Sequence, residues 1–335
     1  MVRGAIRRAS GYSANPELVE GQAAYCCGLR QAQPEQLRIS RHFLSALALF
    51  VFLWSIAAHA ALTVTDSRGN TVTLEAPAQR IITLSPHAAE LVFAAGAGAQ
   101  LIAVSEYSDA PSAVKTLAII GNANALDLER IVALKPSLIV SPSYLSVAQR
   151  QTFRALHLAV YVADATMPEA IADDIEALGV LSGHEATARA AAQHYRARLK
   201  NITTSRRSAA MPIAVFYQLW DSPLYTVGGG SLIDQAISRC GGRNIFSSLT
   251  APSPMVLREA VIAAQPQIIL IGASEKDFTR WKNDWQRWPQ IPAVRQQAFI
   301  RIDPDLLHRP GPRFVEGMEA LCEGINKRLN QEQNF

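Results

Sequence analysis

The sequence predicts an α/β protein of two similar lobes with a helical stretch between them, and three features of the chain carry that expectation. First, a twelve-residue block occurs twice, from Glu129 to Val140 and from Glu259 to Leu270. Both copies read Glu, a variable residue, two β-branched residues, Ala, two variable residues, Pro, a polar residue and three aliphatics. That is a short helix with a glutamate in its first turn, ended where Pro cannot continue it, then a buried strand. Second, strands alternate with helices in both halves, which implies parallel sheets covered on both faces. Third, Glu185 to about Asn201 runs without Gly or Pro and is rich in Ala and Arg.

The expected order is a leader over 1–60, an N-terminal α/β lobe over 61–166, a connecting helical segment over 167–210 and a C-terminal α/β lobe over 211–335. In the leader, Arg38, Arg41 and His42 form a basic region, Phe43 to Ala57 is apolar, and Ala58, His59 and Ala60 make a small-x-small cleavage site. The apolar run is short for a bilayer span, so it reads as a cleaved signal peptide with the mature chain starting near Ala61. The residues upstream of Leu37 fit no export signal, and a start near Leu37 would give an ordinary one. No cysteine follows the cleavage site, so a bacterial lipid anchor is not expected. Cys26 and Cys27 would leave with the leader, and Cys240 and Cys322 would remain as a pair in an oxidising compartment. A bridge between them would contribute about 3–5 kcal/mol on the loop-entropy model. The formal charge of +4 is small and no charge run is present, which speaks against nucleic acid as a partner.

From Ala61 the chain opens with two alternating strands around a turn at Gly69 and Asn70. A strand from Arg80 to Leu84 leads through Ser85, Pro86 and His87 into a helix from Ala88 to Ala95, and a strand from Leu101 to Val104 leads to Glu106, Tyr107 and Asp109. The strand of the first block runs into Ser141, Pro142 and Tyr144. Ligands of parallel sheets collect at the carboxyl ends of strands, where His87, Tyr107, Asn122 and Tyr144 fall. Ser182 to Glu185 has the form of a capping box, and Ala188, Ala192, Tyr195 and Leu199 recur at helical spacing behind it. A helix of that length spans about 30 Å, enough to run from one lobe to the other or to lie within one. In the second half a strand from Ile213 to Leu219 leads to Trp220, Asp221 and Tyr225. Gly228 to Gly230 precede a helix from Ser231 to Cys240, with no Lys-Ser/Thr pair after them to make a phosphate loop. Trp281, Trp285 and Trp288 read as core. The strand from Phe299 to Ile302 delivers Asp303, Asp305, His308 and Arg309, and the last helix turns Val315, Met318, Cys322 and Ile325 inward, so that Cys322 faces the helix carrying Cys240.

Six stretches together resemble one family: Ile82 to Glu90 with Phe93 to Gly96, Val104 to Asp109, Leu128 to Pro136, Cys240 to Phe246, Arg258 with Glu259, and Arg309 to Arg313. They are similar to the periplasmic solute-binding proteins of ABC importers that carry chelated metals, namely cobalamin, haem and ferric siderophores, and most of all to the cobalamin-binding branch. The resemblance covers nearly all of the chain after Arg80. It implies two Rossmann-like lobes with central, mainly parallel sheets, joined by one long rigid helix, with the ligand cleft between them. It implies that Glu129 and Glu259, one per lobe, dock onto arginines of the two membrane subunits, and that Cys240 and Cys322 form the family's disulfide. Tyr107, Tyr225 and Asp305 match cleft positions.

The cleft also departs from the cobalamin pattern, because positions where tryptophans wall the corrin hold Ala123, Pro142 and Ser253. His87, Tyr144, Trp220, His308 and Arg309 complete the expected ligand contacts. Tyr or His would suit haem iron, and Arg309 a carboxylate of haem or siderophore. A free metal ion is not expected, since His is sparse and no His/Asp/Glu spacing is clustered. Nor are catalytic residues or a resident cofactor expected. The sequence holds no Gly-x-Ser-x-Gly, His-Glu-x-x-His or nucleotide fingerprint, and His87, Tyr107 and Asp305 serve binding as well as they would acid/base work. The expected function is therefore capture of a metal chelate, cobalamin or another corrinoid before haem or a ferric siderophore, by a periplasmic monomer. That monomer would deliver the chelate to a permease dimer with its ATPase subunits. A periplasmic enzyme is the remote alternative.

Overall fold

The computed structural model describes residues 61–122, 125–204 and 212–332, so the expected leader with Cys26 and Cys27, and Ala123, lie outside the described residues. The chain opens with an antiparallel pair, β1 (Leu62–Thr65) and β2 (Thr71–Leu74). The Asp66 carboxylate closes its turn by accepting from the backbone N–H of Arg68 at 2.9 Å and of Asn70 at 2.8 Å. The first lobe follows in order: β3 (Ile81–Thr83), α1 (Pro86–Ala94), β4 (Leu101–Val104), β5 (Ala118–Ile119), a small antiparallel pair β6 (Gly121–Asn122) and β7 (Ala125–Leu126), α2 (Leu128–Ala133), β8 (Leu138–Ser141), α3 (Val147–Ala155) and β9 (Val160–Val162). Its sheet has the order β5-β4-β3-β8-β9, parallel throughout. All four β8 residues are buried, as an aliphatic run between two helical layers requires.

Two helices, α4 (Ala170–Ser182) and α5 (Glu185–Thr204), then form a hairpin. The capping box expected at Ser182 is absent. Ser182 is instead the last residue of α4, its hydroxyl donates to the Leu178 carbonyl at 2.7 Å, and Gly183 closes the helix with φ +77. The predicted apolar face of α5 is real: Ala188, Ala192, Tyr195 and Leu199 are all buried. Its first turns pack on α4, where a Cβ on Gly179 would meet that of Ala188 at 2.2 Å, and on the first lobe, where a Cβ on Gly96 would meet the Thr187 side chain at 2.9 Å. Farther along, Arg198 pairs with Glu319 at 2.6 Å and Glu316 at 3.7 Å near the end of the chain.

The second lobe comprises β10 (Ile213–Gln218), α6 (Leu232–Arg239), β11 (Gly242–Asn244), α7 (Arg258–Ala264), β12 (Ile268–Gly272), α8 (Glu275–Trp285), α9 (Pro292–Arg295), β13 (Phe299–Ile302), α10 (Pro304–Leu307) and α11 (Phe314–Glu332). Its parallel sheet has the order β11-β10-β12-β13. Trp281 and Trp285 are buried, and Trp285 donates its indole N–H to the buried Gln218 side chain at 2.7 Å. Cys240, at the end of α6, is bonded to Cys322 on α11 with their Cα atoms 4.7 Å apart.

Both sheets start in the interior and build outward in two directions. In the first the chain leaves β3 for β4 and β5, then returns to β8 beside β3. In the second it leaves β10 for β11, then returns to β12 on the other side. Each sheet therefore has a switch point, and the crevice at its carboxyl ends is where a ligand of such a sheet collects.

Candidate functional site

A cavity of about 740 Å³ opens at these carboxyl ends. The first lobe supplies the loop after β9, Asp164 to Thr166. The second supplies Trp220 and Tyr225 after β10, the Gly229–Gly230 turn before α6, and His308 after β13. Trp220 and Tyr225 are fixed as the two sides of a small hairpin, in which Tyr225 donates its backbone N–H to the Trp220 carbonyl at 3.2 Å. Trp220 remains 58% exposed and meets the buried Trp281 edge to face at 6.1 Å. It thus presents a ring to the cavity while anchored from behind.

His308 shares a 2.9 Å hydrogen bond with the buried Tyr217 hydroxyl. Burial pushes its imidazole down to about 4, so it is neutral near pH 7. The close approach depends on Gly272, where a Cβ would stand 2.5 Å from both the His308 ring and the Tyr217 hydroxyl.

The other predicted cleft residues fall in three settings. Tyr107, 78% exposed, and Tyr144, 61% exposed, belong to the loops after β4 and β8. Tyr107 holds a left-handed backbone, φ 64, between Glu106, whose N–H donates to the Gly121 carbonyl, and Ser108, whose N–H donates to that of Ser105. Desolvation, reinforced by the Asp164 charge, raises the Tyr144 phenol above its ordinary value. His87 is in a different setting from the one expected. It is 5% exposed, its Nε2 lies 3.0 Å from the Ala163 carbonyl and 3.2 Å from the Ser85 hydroxyl, and burial lowers its pKa. A neutral ring that donates to Ala163 supports the wall from behind and does not line the cavity.

Arg309 is not free to receive a ligand carboxylate, because three protein carboxylates already hold it: Asp109 at 2.6 Å, Asp305 at 2.8 Å and Glu90 at 3.4 Å. Arg313 grips Glu90 as well, through N–H groups at 2.9 and 2.7 Å. Desolvation works against the Asp109 charge, but the Arg309 contact outweighs it and holds this carboxyl below the usual range. Glu90 is 5% exposed and belongs to α1, so the cluster ties the second lobe to the first beside the cavity. Of the positions expected to have lost a tryptophan, Ser253 lines the cavity and Pro142 is buried.

Asp164 and its neighbours escape the sequence reading. The strand before them, β9, is three residues long, and only its parallel place at the sheet edge shows that Asp164 lies off a carboxyl end. Among the described residues no group of three or more His, Cys, Asp or Glu is placed to hold a metal ion.

Glu129 and Glu259 lie away from this lining. Each stands exposed in the first turn of its helix, α2 or α7. Each helix leads directly into a parallel strand, so it runs back along the sheet and its first turn is level with the strands' carboxyl ends. The two copies also share a feature the block does not reveal: Lys135 and Gln265, each just before the Pro, have left-handed backbones with φ 46 and 48.

Residues 81–306 match the periplasmic binding protein family. A vitamin B12-binding protein of Vibrio cholerae is 36% identical over 248 residues, which span 73% of this chain and 88% of that protein. The solved structure of the periplasmic vitamin B12 binding protein BtuF of Vibrio cholerae aligns with a TM-score of 0.70 and 34% identity, covering 76% of this chain and 98% of the other. The periplasmic heme-binding protein RhuT from Roseiflexus sp. RS-1 shares the fold, with a TM-score of 0.67 at 22% identity over 75% of this chain and 98% of the other. With both parallel sheets inside the matched region and the cavity at their carboxyl ends, the chain belongs to the periplasmic binding protein family.

Proposed function

We propose that this protein is the substrate-binding component of an ABC importer, exported through the leader at 37–60 and active as a periplasmic monomer. It captures a corrinoid, cobalamin before others, releases it chemically unchanged, and delivers it to a permease dimer in the inner membrane with its ATPase subunits. The observation that carries this reading is the cavity at the carboxyl ends of both sheets, in a chain 36% identical to a vitamin B12-binding protein. The Trp220 ring and the Tyr225 phenol line the cavity, and Tyr107 and Tyr144 stand exposed on loops at the carboxyl ends of the first sheet; aromatic faces are the kind of surface a flat macrocycle packs against. The reduced aromatic wall at Pro142 and Ser253 keeps haem or a ferric siderophore as the second reading.

Docking is assigned to Glu129 and Glu259. Two glutamates on equivalent helices, one per lobe and both level with the cavity side, suit a partner that grips both lobes at once. The test is uptake of labelled cobalamin in cells lacking their own binding protein. The double variant Glu129→Ala with Glu259→Ala is expected to keep wild-type ligand affinity and lose transport. Wild-type transport by the double variant, or loss of affinity, would contradict the docking role.

A further inference from the structure

The charge around the cavity has a sign, and it can be traced residue by residue. Asp164 is the charged residue of the lining. Its backbone N–H donates to the Ser67 hydroxyl at 3.1 Å, while its carboxylate has no hydrogen bond or ion pair to a described residue. Three neighbours register its field. It adds to desolvation in raising Tyr144 and Asp174, and it opposes desolvation at His87.

Apart from Arg68, the cations nearby are matched by carboxylates. Arg309 and Arg313 face Glu90, Asp109 and Asp305, two positive against three negative charges, which leaves one net negative charge. Arg258 and Arg280 share Asp221, and Arg280 also reaches Asp277. Arg239 is paired with Glu169. His308 is uncharged near pH 7. Arg68 is exposed, rests on the Ser143 carbonyl at 3.3 Å, and lies outside the lining. The charge that borders the cavity is therefore net negative.

We infer that Asp164, backed by the saturated Arg309 cluster, makes this a cavity for neutral or cationic metal chelates and selects against chelates that carry carboxylates. Resting on the chelate-capture reading, the inference divides the ligands that reading admits. Corrinoids with amide side chains and cationic ferric hydroxamates are accepted, whereas porphyrins with propionates and citrate-type siderophores are disfavoured. The physical reason is that an anionic group entering here meets an uncompensated carboxylate and finds no free guanidinium or ammonium in the lining.

The test varies charge at nearly constant shape. The purified protein is titrated with aquocobalamin, which is cationic, with neutral cyanocobalamin, and with a cyanocobalamin derivative having one side-chain amide hydrolysed to a carboxylate. Affinity is expected to fall in that order by about three- to tenfold per step, with the spread narrowing at high salt. Asp164→Asn is expected to collapse the spread. Equal affinities across the series, or tightest binding of the carboxylate derivative, would overturn the inference while leaving corrinoid capture intact. If no corrinoid binds, the proposed ligand fails instead, and the inference is then decided by a cationic ferric trihydroxamate against haem. Tighter binding of the cation upholds it; tighter binding of haem, or binding of neither, overturns it.

Discussion

Two carboxylates behind the cavity are almost fully buried and are compensated in different ways. Glu90 is held by two guanidiniums, whereas Asp174, 2% exposed, has only the Tyr161 hydroxyl at 2.7 Å and the Ser67 hydroxyl at 2.8 Å on one oxygen, and no partner on the other. Desolvation raises the Asp174 pKa from 3.8 to about 6. Because the folded value lies above the unfolded one, the proton stabilises the fold fully at pH below 3.8, and this stabilisation is lost as pH rises through about 6. The stake is on the order of 3 kcal/mol, at about 1.4 kcal/mol per pKa unit. The Asp174→Asn variant is therefore expected to melt above the wild type at neutral and alkaline pH and to converge with it in acid, as thermal unfolding across a pH series would show. A wild type that melts higher at alkaline pH would contradict this account. Such partnerships mark the limit of what the sequence reveals about the site. Position after a strand identifies Trp220, Tyr225 and His308 as candidates, and they line the cavity. The same reasoning cannot show that Arg309 is held by Glu90 and Asp109, or that His87 turns to Ala163, because those partners come from remote parts of the chain.

Elements were legible where their periodicity was strong. The duplicated block gives α2 with β8 and α7 with β12, and the spacing in α5 gives its buried face. Other elements had weak or competing signals. The Ser146 capping box before α3 is present in the sequence as Ser146 and Gln149, but the strand that follows, β9, is too short for an alternating pattern to register. The α4 helix carries Gly179 in its interior, a residue that lowers helical propensity yet is required here by the close approach of Ala188. The link between the lobes is the long helix α5, as expected, packed on α4 and on the first lobe at its start and fastened to α11 through Arg198 farther along. At this scale the Cys240–Cys322 bond joins α11 to the end of α6 across 82 residues of sequence. Replacing both cysteines by serine is expected to lower unfolding stability by about 3–5 kcal/mol while leaving ligand affinity near wild type, since neither residue lines the cavity. An unchanged denaturation midpoint would contradict that role.

For the whole molecule, the two lobes are cross-tied in several places. Arg309 and Arg313 reach Glu90 and Asp109 beside the cavity, the Gln235 side chain donates to the Thr166 carbonyl at 2.6 Å, and Arg198 couples α5 to α11. Loss of any one tie leaves the others, so a cavity assembled in this way is largely preformed, and ligand capture requires little ordering of the chain. The two-lobed architecture was readable from the repeated block, but the ties between lobes were not, since they depend on how the lobes meet. Corrinoid capture is tested most directly by calorimetric titration of the purified protein with cyanocobalamin. The account predicts saturable one-to-one binding, weakened by Trp220→Ala and Tyr225→Ala. Absence of binding to the folded protein would contradict the corrinoid assignment and turn the search to ferric hydroxamates and haem.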